Sequence, residues 1–281
     1  MQDTLGNRDV LRVLDAADHN RLARAWTDIR SGLSAWQFVL ALARSDIRGR
    51  YRGSVLGPFW LTLTTAISIA AFGLLYGRIF NIPWQEHLLH VGVSLITWAW
   101  ISQSVAESCN AMMGGESMIR QIPLPMSVHI LRSALRNLIV AGHHAILLPF
   151  LFLICGFAPH ASGIPMALLG VVVILINTIS LSTLLGFLGA RFRDLAPVVA
   201  NVMQLMFFLS PILWQASALG EKARLLVFNP VFVLIEIVRT PLLTGTINPE
   251  HWIAAGLFTL LGLGLAGAMF VRFRERVAFW V

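Results

Sequence analysis

The chain has 281 residues, 57% of them hydrophobic and only 12% charged, with a mean hydropathy of +0.73. Soluble domains carry roughly a quarter charged residues, so this composition excludes water as the main solvent of the chain and points to lipid. The formal charge of +7 comes from twenty arginines and the single Lys222; they gather at the ends of apolar runs, which reads as membrane topology rather than as a nucleic-acid surface.

Residues 1–31 are polar and contain no apolar core of a cleavable signal peptide; they are expected to form a cytoplasmic extension without an assigned role. Residues 32–53 predict an amphipathic helix at the membrane interface. Trp36, Val39, Leu40, Ala43, Ile47 and Tyr51 fall on one stripe, flanked by Gln37, Arg44, Arg48 and Arg52. Phe38 and Leu42 lie off the stripe, and a helix packed on a protein partner would show a similar pattern. Residues 54–272 then hold six apolar runs long enough for a hydrocarbon core of ~30 Å: Val55–Tyr76, Leu88–Ala106, Leu138–Phe157, Ile164–Ala190, Pro197–Gln215 and Trp252–Val271. The piece between the last two, residues 217–245, is broken by Pro230 and Pro241 and carries Glu236 and Arg239. It predicts a pair of re-entrant half-helices, because irregular backbone at membrane depth survives only when packed in protein or lining water. A tail, residues 273–281, closes the chain. The predicted fold class is therefore an all-α polytopic membrane protein.

Arginines decide the expected orientation. They crowd before the first span (Arg44, Arg48, Arg50, Arg52), between the second and third (Arg120, Arg132, Arg136), between the fourth and fifth (Arg191, Arg193), and in the tail, whereas the alternate loops are poor in positive charge. Both termini are thus expected on the cytoplasmic side. Cys109 and Cys155 lie in apolar runs and read as buried thiols, with no metal-ligand spacing.

Several chemistries are excluded by what the spans lack. Of fourteen Asp and Glu, the six runs contain at most Glu107, which sits at a span's end, and this argues against proton- or sodium-coupled transport. A Walker A motif is impossible, since the only lysine follows Glu221. His143 and His144 are neighbours on a helix and point ~100° apart, so they cannot share one metal as residues four apart would; packing or lining roles suit them. No hydrolase or zinc-protease motif occurs.

Three stretches together carry a resemblance: "RYRGSVLGPFW" (Arg50–Trp60), "RFRDLAPVVANVMQLMFFLSPILW" (Arg191–Trp214) and "NPVFVLIEIVRTPLLTG" (Asn229–Gly245). From about Trp36 onward the chain resembles the permease subunit of type-2 ABC exporters, nearest to the branch that exports lipid-linked polysaccharides such as O antigens, capsules and teichoic acids. The resemblance implies a homodimeric permease in the bacterial inner membrane. It implies two copies of a separate cytoplasmic ATPase that holds ATP and Mg, so this chain would carry no cofactor, and a polyprenyl-diphosphate-linked polysaccharide as substrate. It implies a coupling helix at residues 114–125, with Glu116, Met118, Ile119 and Arg120 facing the ATPase and Arg193–Asp194 as a second contact. Glu236 and Arg239 become a periplasmic gate, or a structural ion pair. Phe59, Trp60, Trp98, Phe207 and Phe208 become glycan-channel lining, or part of the interfacial aromatic belt. Arg48, Arg50 and Arg52 become ligands for the lipid diphosphate, or anchors to headgroup phosphates. An exporter of drugs or small hydrophobic solutes, and an intramembrane glycan-modifying enzyme or scaffold, are the alternatives.

Overall fold

The computed structural model describes residues 21–54, 57, 59–115 and 124–280, and every regular element among them is helical. Two helices precede the bundle, α1 (Arg21–Ser34) and α2 (Trp36–Arg50). Among the described residues, five helical segments are long and apolar enough to cross a bilayer: α3 (Phe59–Ile79), α4 (Trp84–Ser108), Met126–Cys155, α7 (Ile164–Arg191) and α10 (Pro249–Phe273). The third comprises α5 (Met126–Ala145) and α6 (Leu147–Cys155), parted at Ile146. Pro149 has no N–H to offer the Ala145 carbonyl, which accounts for that break.

The fifth predicted span differs from expectation. Its helix, α8 (Leu195–Leu209), has 15 residues, which at 1.5 Å per residue is about 22 Å. It stops at Ser210, which is extended (φ −98°, ψ 139°) because the following Pro211 disfavours the helical region for its predecessor. Beyond it, a 3₁₀ segment (Ala216–Phe228) and α9 (Pro230–Thr244) meet at 111°, which gives the predicted bent pair its geometry. Pro241 does not break α9, contrary to expectation. The carbonyl it frees, that of Ile237, lies against α7 at Gly170, where an added Cβ would stand 2.8 Å from the oxygen. A short helix, α11 (Val277–Trp280), ends the described chain.

α4 is the hub of the bundle, packing against α3, α5, α7 and α9. Its Val91, Val93 and Ile101 are buried on more than one face, whereas α3 and α10 keep Leu74, Leu75, Leu257 and Leu260 exposed on the outer surface, as lipid-facing helices do. Small residues bring the helices together. Gly73 lies under Leu88, Gly92 under Leu151, and Gly189 of α7 rests directly on the Cys109 carbonyl.

The N-terminal helices are part of this body. Val39, Ala43 and Ile47 of the predicted stripe are buried where α2 packs on α5, while Trp36 stays exposed. α1 begins within the expected extension and packs on α5 and α10. Its Asp28 carboxylate accepts from the N–H groups of Met126 (3.1 Å) and Ser127 (3.0 Å). These are the unpaired donors at the start of α5, capped here by a residue nearly a hundred positions away.

Candidate functional site

A groove of about 570 Å³ runs between α3, α4 and α8. Trp98 of α4 and Phe207 of α8 meet across it, with ring centroids 5.5 Å apart. Thr64, Thr65 and Ser68 of α3 and Ser102 and Gln103 of α4 supply its polar wall. The hydroxyl protons of Thr64 and Thr65 go to Leu61 O, that of Ser68 to Thr64 O, and that of Ser102 to Ala99 O. Their oxygens therefore face the groove as acceptors. His144 reaches the same wall from α5, is 3% exposed, and has no hydrogen-bond partner for either ring nitrogen among the described residues. The arrangement offers flat apolar faces beside acceptors, which suits a polyhydroxylated solute. Phe208 stacks edge-on upon Phe207 at 5.4 Å but points outward. Phe59 and Trp60 also lie on the outer surface, Phe59 against the His143 ring, and are not brought to the groove.

At the arginine-rich end, five charged side chains from three helices form one network. Glu107, at the end of α4, accepts from Arg50 Nη1 of α2 (2.6 Å) and from Arg136 Nη2 of α5 (2.7 Å). Arg136 Nη1 also donates to Asp46 of α2 at 3.0 Å, and Arg132 binds the same carboxylate through both Nε and Nη2. Burial acts to raise the Asp46 carboxyl, but the two guanidiniums outweigh it and hold the group below the ordinary aspartate range. The network borders a cavity of about 350 Å³. Arg50 is thus engaged by Glu107, whereas Arg48 and Arg52 are exposed and have no ion-pair partner among the described residues. Arg193 and Asp194 are exposed in the turn joining α7 to α8. Glu116, Met118, Ile119 and Arg120, expected to face an ATPase, lie outside the described residues.

At the other end, Glu236 and Arg239 of α9 are paired and buried, as their three-residue spacing predicts. Arg239 Nη1 also reaches Ser94 Oγ (2.6 Å), the Pro211 carbonyl (2.8 Å) and His90 Nε2 (3.0 Å). Two protons on that nitrogen serve Ser94 and Pro211, which leaves His90 Nε2–H to donate to the Trp214 carbonyl at 3.1 Å. Thr240 Oγ1 donates to the second Glu236 oxygen. The bent pair is in this way tied to α4 and to the non-helical run after α8.

Comparison with known proteins places this architecture. The profile of the family described as "ABC-2 type transporter" matches residues 37–243. The chain belongs to the ABC-2 type transporter family. It is similar to an O-antigen export system permease protein RfbA from Klebsiella pneumoniae, 26% identical over 257 residues that cover 85% of this chain and 95% of the relative. A second Klebsiella pneumoniae RfbA is 24% identical over 253 residues, with the same two shares. An RfbA from Myxococcus xanthus is 30% identical over 205 residues, 70% of this chain and 76% of the relative.

This ABC-2 chain is therefore a multi-pass membrane transport subunit. Sequence reasoning missed Asp28 as the cap of α5, and Asp46, Glu107, Arg132, Arg136, His90 and Ser94 as network members. Only Asp46, four positions before Arg50 on a single helix, gave any local signal, since residues four apart on a helix can pair.

Proposed function

We propose that this ABC-2 chain is the transmembrane subunit of an exporter that moves a polyprenyl-diphosphate-linked O-antigen polysaccharide across the bacterial inner membrane. Energy comes from ATP hydrolysis in a separate cytoplasmic ATPase, two copies of which join two copies of this chain. The observation that carries the reading is the similarity to O-antigen export permeases over as much as 85% of the chain. The Trp98–Phe207 groove supports it, since sugar rings lay C–H faces on aromatic rings and their hydroxyls donate to the Thr64, Thr65, Ser68 and Ser102 oxygens.

On this reading both termini face the cytoplasm, and residues 114–125 with Arg193 and Asp194 contact the ATPase. Arg48 and Arg52 meet the lipid diphosphate as it enters, using donors suited to phosphate, while Arg50 holds the α2 helix to Glu107. The Glu236–Arg239 pair closes the far end of the pathway. The test is copurification with the ATPase encoded beside the gene, followed by ATP turnover in lipid nanodiscs with and without polyprenyl-diphosphate glycan. A stable complex whose turnover responds to glycan is the expected result. A chain that binds no ATPase, or turnover indifferent to glycan, overturns the reading.

A further inference from the structure

An apolar cleft separates the N-terminal helices from the bundle at the arginine-rich end. One lobe, of about 320 Å³, lies between α1, α5, α7 and α10, and includes Leu131, Ile179 and Phe270. The other, of about 370 Å³, lies between α2, α5 and α7, and includes Trp36 and Leu40. The lobes share Leu33, Leu131 and Ile179 and so adjoin. The lining is almost wholly apolar, and the protons of its few hydroxyls are spent on backbone carbonyls: Ser127 donates to the Asp28 carbonyl, Ser180 to Ile176 O and Thr183 to Ile179 O. What remains is hydrocarbon, on a face whose α5, α7 and α10 walls are membrane-spanning helices.

A cation follows one helical turn beyond the α2 wall of the cleft. Trp36, Leu40 and Arg44 are four apart and form one row along α2. At 100° per residue, Leu40 and Arg44 project about 120° and about 160° away from Asp46, which faces the ion network. Arg44 is exposed, one turn past Leu40, and has no ion-pair partner among the described residues. A dry slot in a lipid-exposed wall, with an unpaired guanidinium one turn beyond it, matches an amphiphile with an apolar tail and an anionic head.

We propose that this cleft binds one acyl chain of an anionic membrane phospholipid, with the lipid phosphate at Arg44. The lipid fills the gap between α1–α2 and the bundle and so seats the N-terminal helices at a fixed depth. The site shares no lining residue with the Trp98–Phe207 groove and does not depend on what that groove carries.

The experiment uses the full chain in nanodiscs containing phosphatidylglycerol with a photoreactive diazirine on its acyl chain, with adducts mapped by mass spectrometry. Adducts at Leu33, Leu131 and Ile179 are expected to exceed those at Leu257 and Leu260, on the open outer face of α10, several-fold. Ile179→Trp, which fills the cleft where its lobes adjoin, should abolish the cleft adducts and leave those at Leu257 and Leu260 unchanged. Leu131→Phe serves as a second filling variant should Ile179→Trp fail to fold. Arg44→Ala should weaken cleft labelling by phosphatidylglycerol and not by the phosphatidylcholine analogue. Labelling spread evenly over the outer surface, or cleft adducts that survive filling, overturns the site. Equal effects of Arg44→Ala on both headgroups overturn the role of Arg44. Displacement by polyprenyl phosphate at concentrations where phosphatidylglycerol fails to compete overturns a phospholipid as the occupant.

Discussion

Arg239 shows how a single buried charge organises one end of the molecule. Its guanidinium satisfies Glu236, Ser94 and the Pro211 carbonyl, and all three have little access to water. Removing one partner of such a pair strands the other and costs about 3–5 kcal/mol, whereas replacing both by apolar groups is often close to neutral. Arg239→Met should therefore lower the detergent melting temperature sharply, and Glu236→Leu with Arg239→Met should recover much of the loss. A double variant no better than Arg239→Met would show that Ser94 and Pro211, not Glu236, dominate the site. Asp46 makes a pH prediction. Its carboxyl is lowered in the folded chain, so its contribution is complete above the ordinary aspartate value of about 3.9 and is lost as pH falls through the lowered folded value. Melting temperature followed downward from pH 6 should fall more steeply for the wild-type chain than for Asp46→Asn, which lacks that titration. Of these residues, Glu236 and Arg239 were legible as a pair from their spacing alone. His90 and Ser94, some 145 positions from Arg239, were not, because no local pattern records a contact made by folding.

Individual helices show the same division. Spans of unbroken hydropathy, such as α7 and α10, were legible almost to their ends, and the Ser210–Pro211 stop of α8 was present in the sequence though read as span. The N-terminal half of α5 was not legible. Arg132 and Arg136 made it look like a loop, and only Asp46 and Glu107, from other helices, render two arginines tolerable there. α1 was missed for a similar reason, since its reward for folding is to cap and cover α5. Gly32 permits that contact, because a Cβ there would collide with Ser127 Oγ. Asp28→Ala removes the acceptor for the Met126 and Ser127 N–H groups and should cost about 0.5–2 kcal/mol, the range of a lost helix cap. Gly32→Val should be worse, since it pushes α1 off α5 and so loses the cap and the packing together. Protease sensitivity of the Arg21–Ser34 helix in detergent would report both, and equal resistance of Gly32→Val and wild type would mean that α1 is held by other contacts.

At the scale of the whole molecule, the two ion networks sit at opposite ends of α4, and each ties that helix to an element outside the regular bundle. Arg239 joins α4 to the bent pair, and Glu107 joins it to α2 on one side and α5 on the other. Residues 109–125 leave α4 just after Glu107 and return at the start of α5, shortly before Arg132. Displacement of that connection can therefore reach α2 through ion pairs as well as through the apolar packing of Val39, Ala43 and Ile47 on α5. If those pairs act as a linkage, the geometry of Glu107 matters more than its mere charge. Glu107→Gln keeps the size and some hydrogen bonding but loses both charge-assisted pairs. It should loosen α2, seen as faster modification of a cysteine placed at buried Val39. In the assembled exporter it should lower glycan-stimulated ATP turnover more than basal turnover. Glu107→Arg alone should be more damaging, since it sets a third guanidinium beside Arg50 and Arg136. Adding Arg136→Glu restores one opposite pair between α4 and α5 and gives Arg50 a new carboxylate near its old one, so the double variant should regain part of the stimulated turnover. Recovery of α2 protection without recovery of stimulation would separate the two roles, leaving the network as the mooring of α2 and placing transmission elsewhere in the bundle.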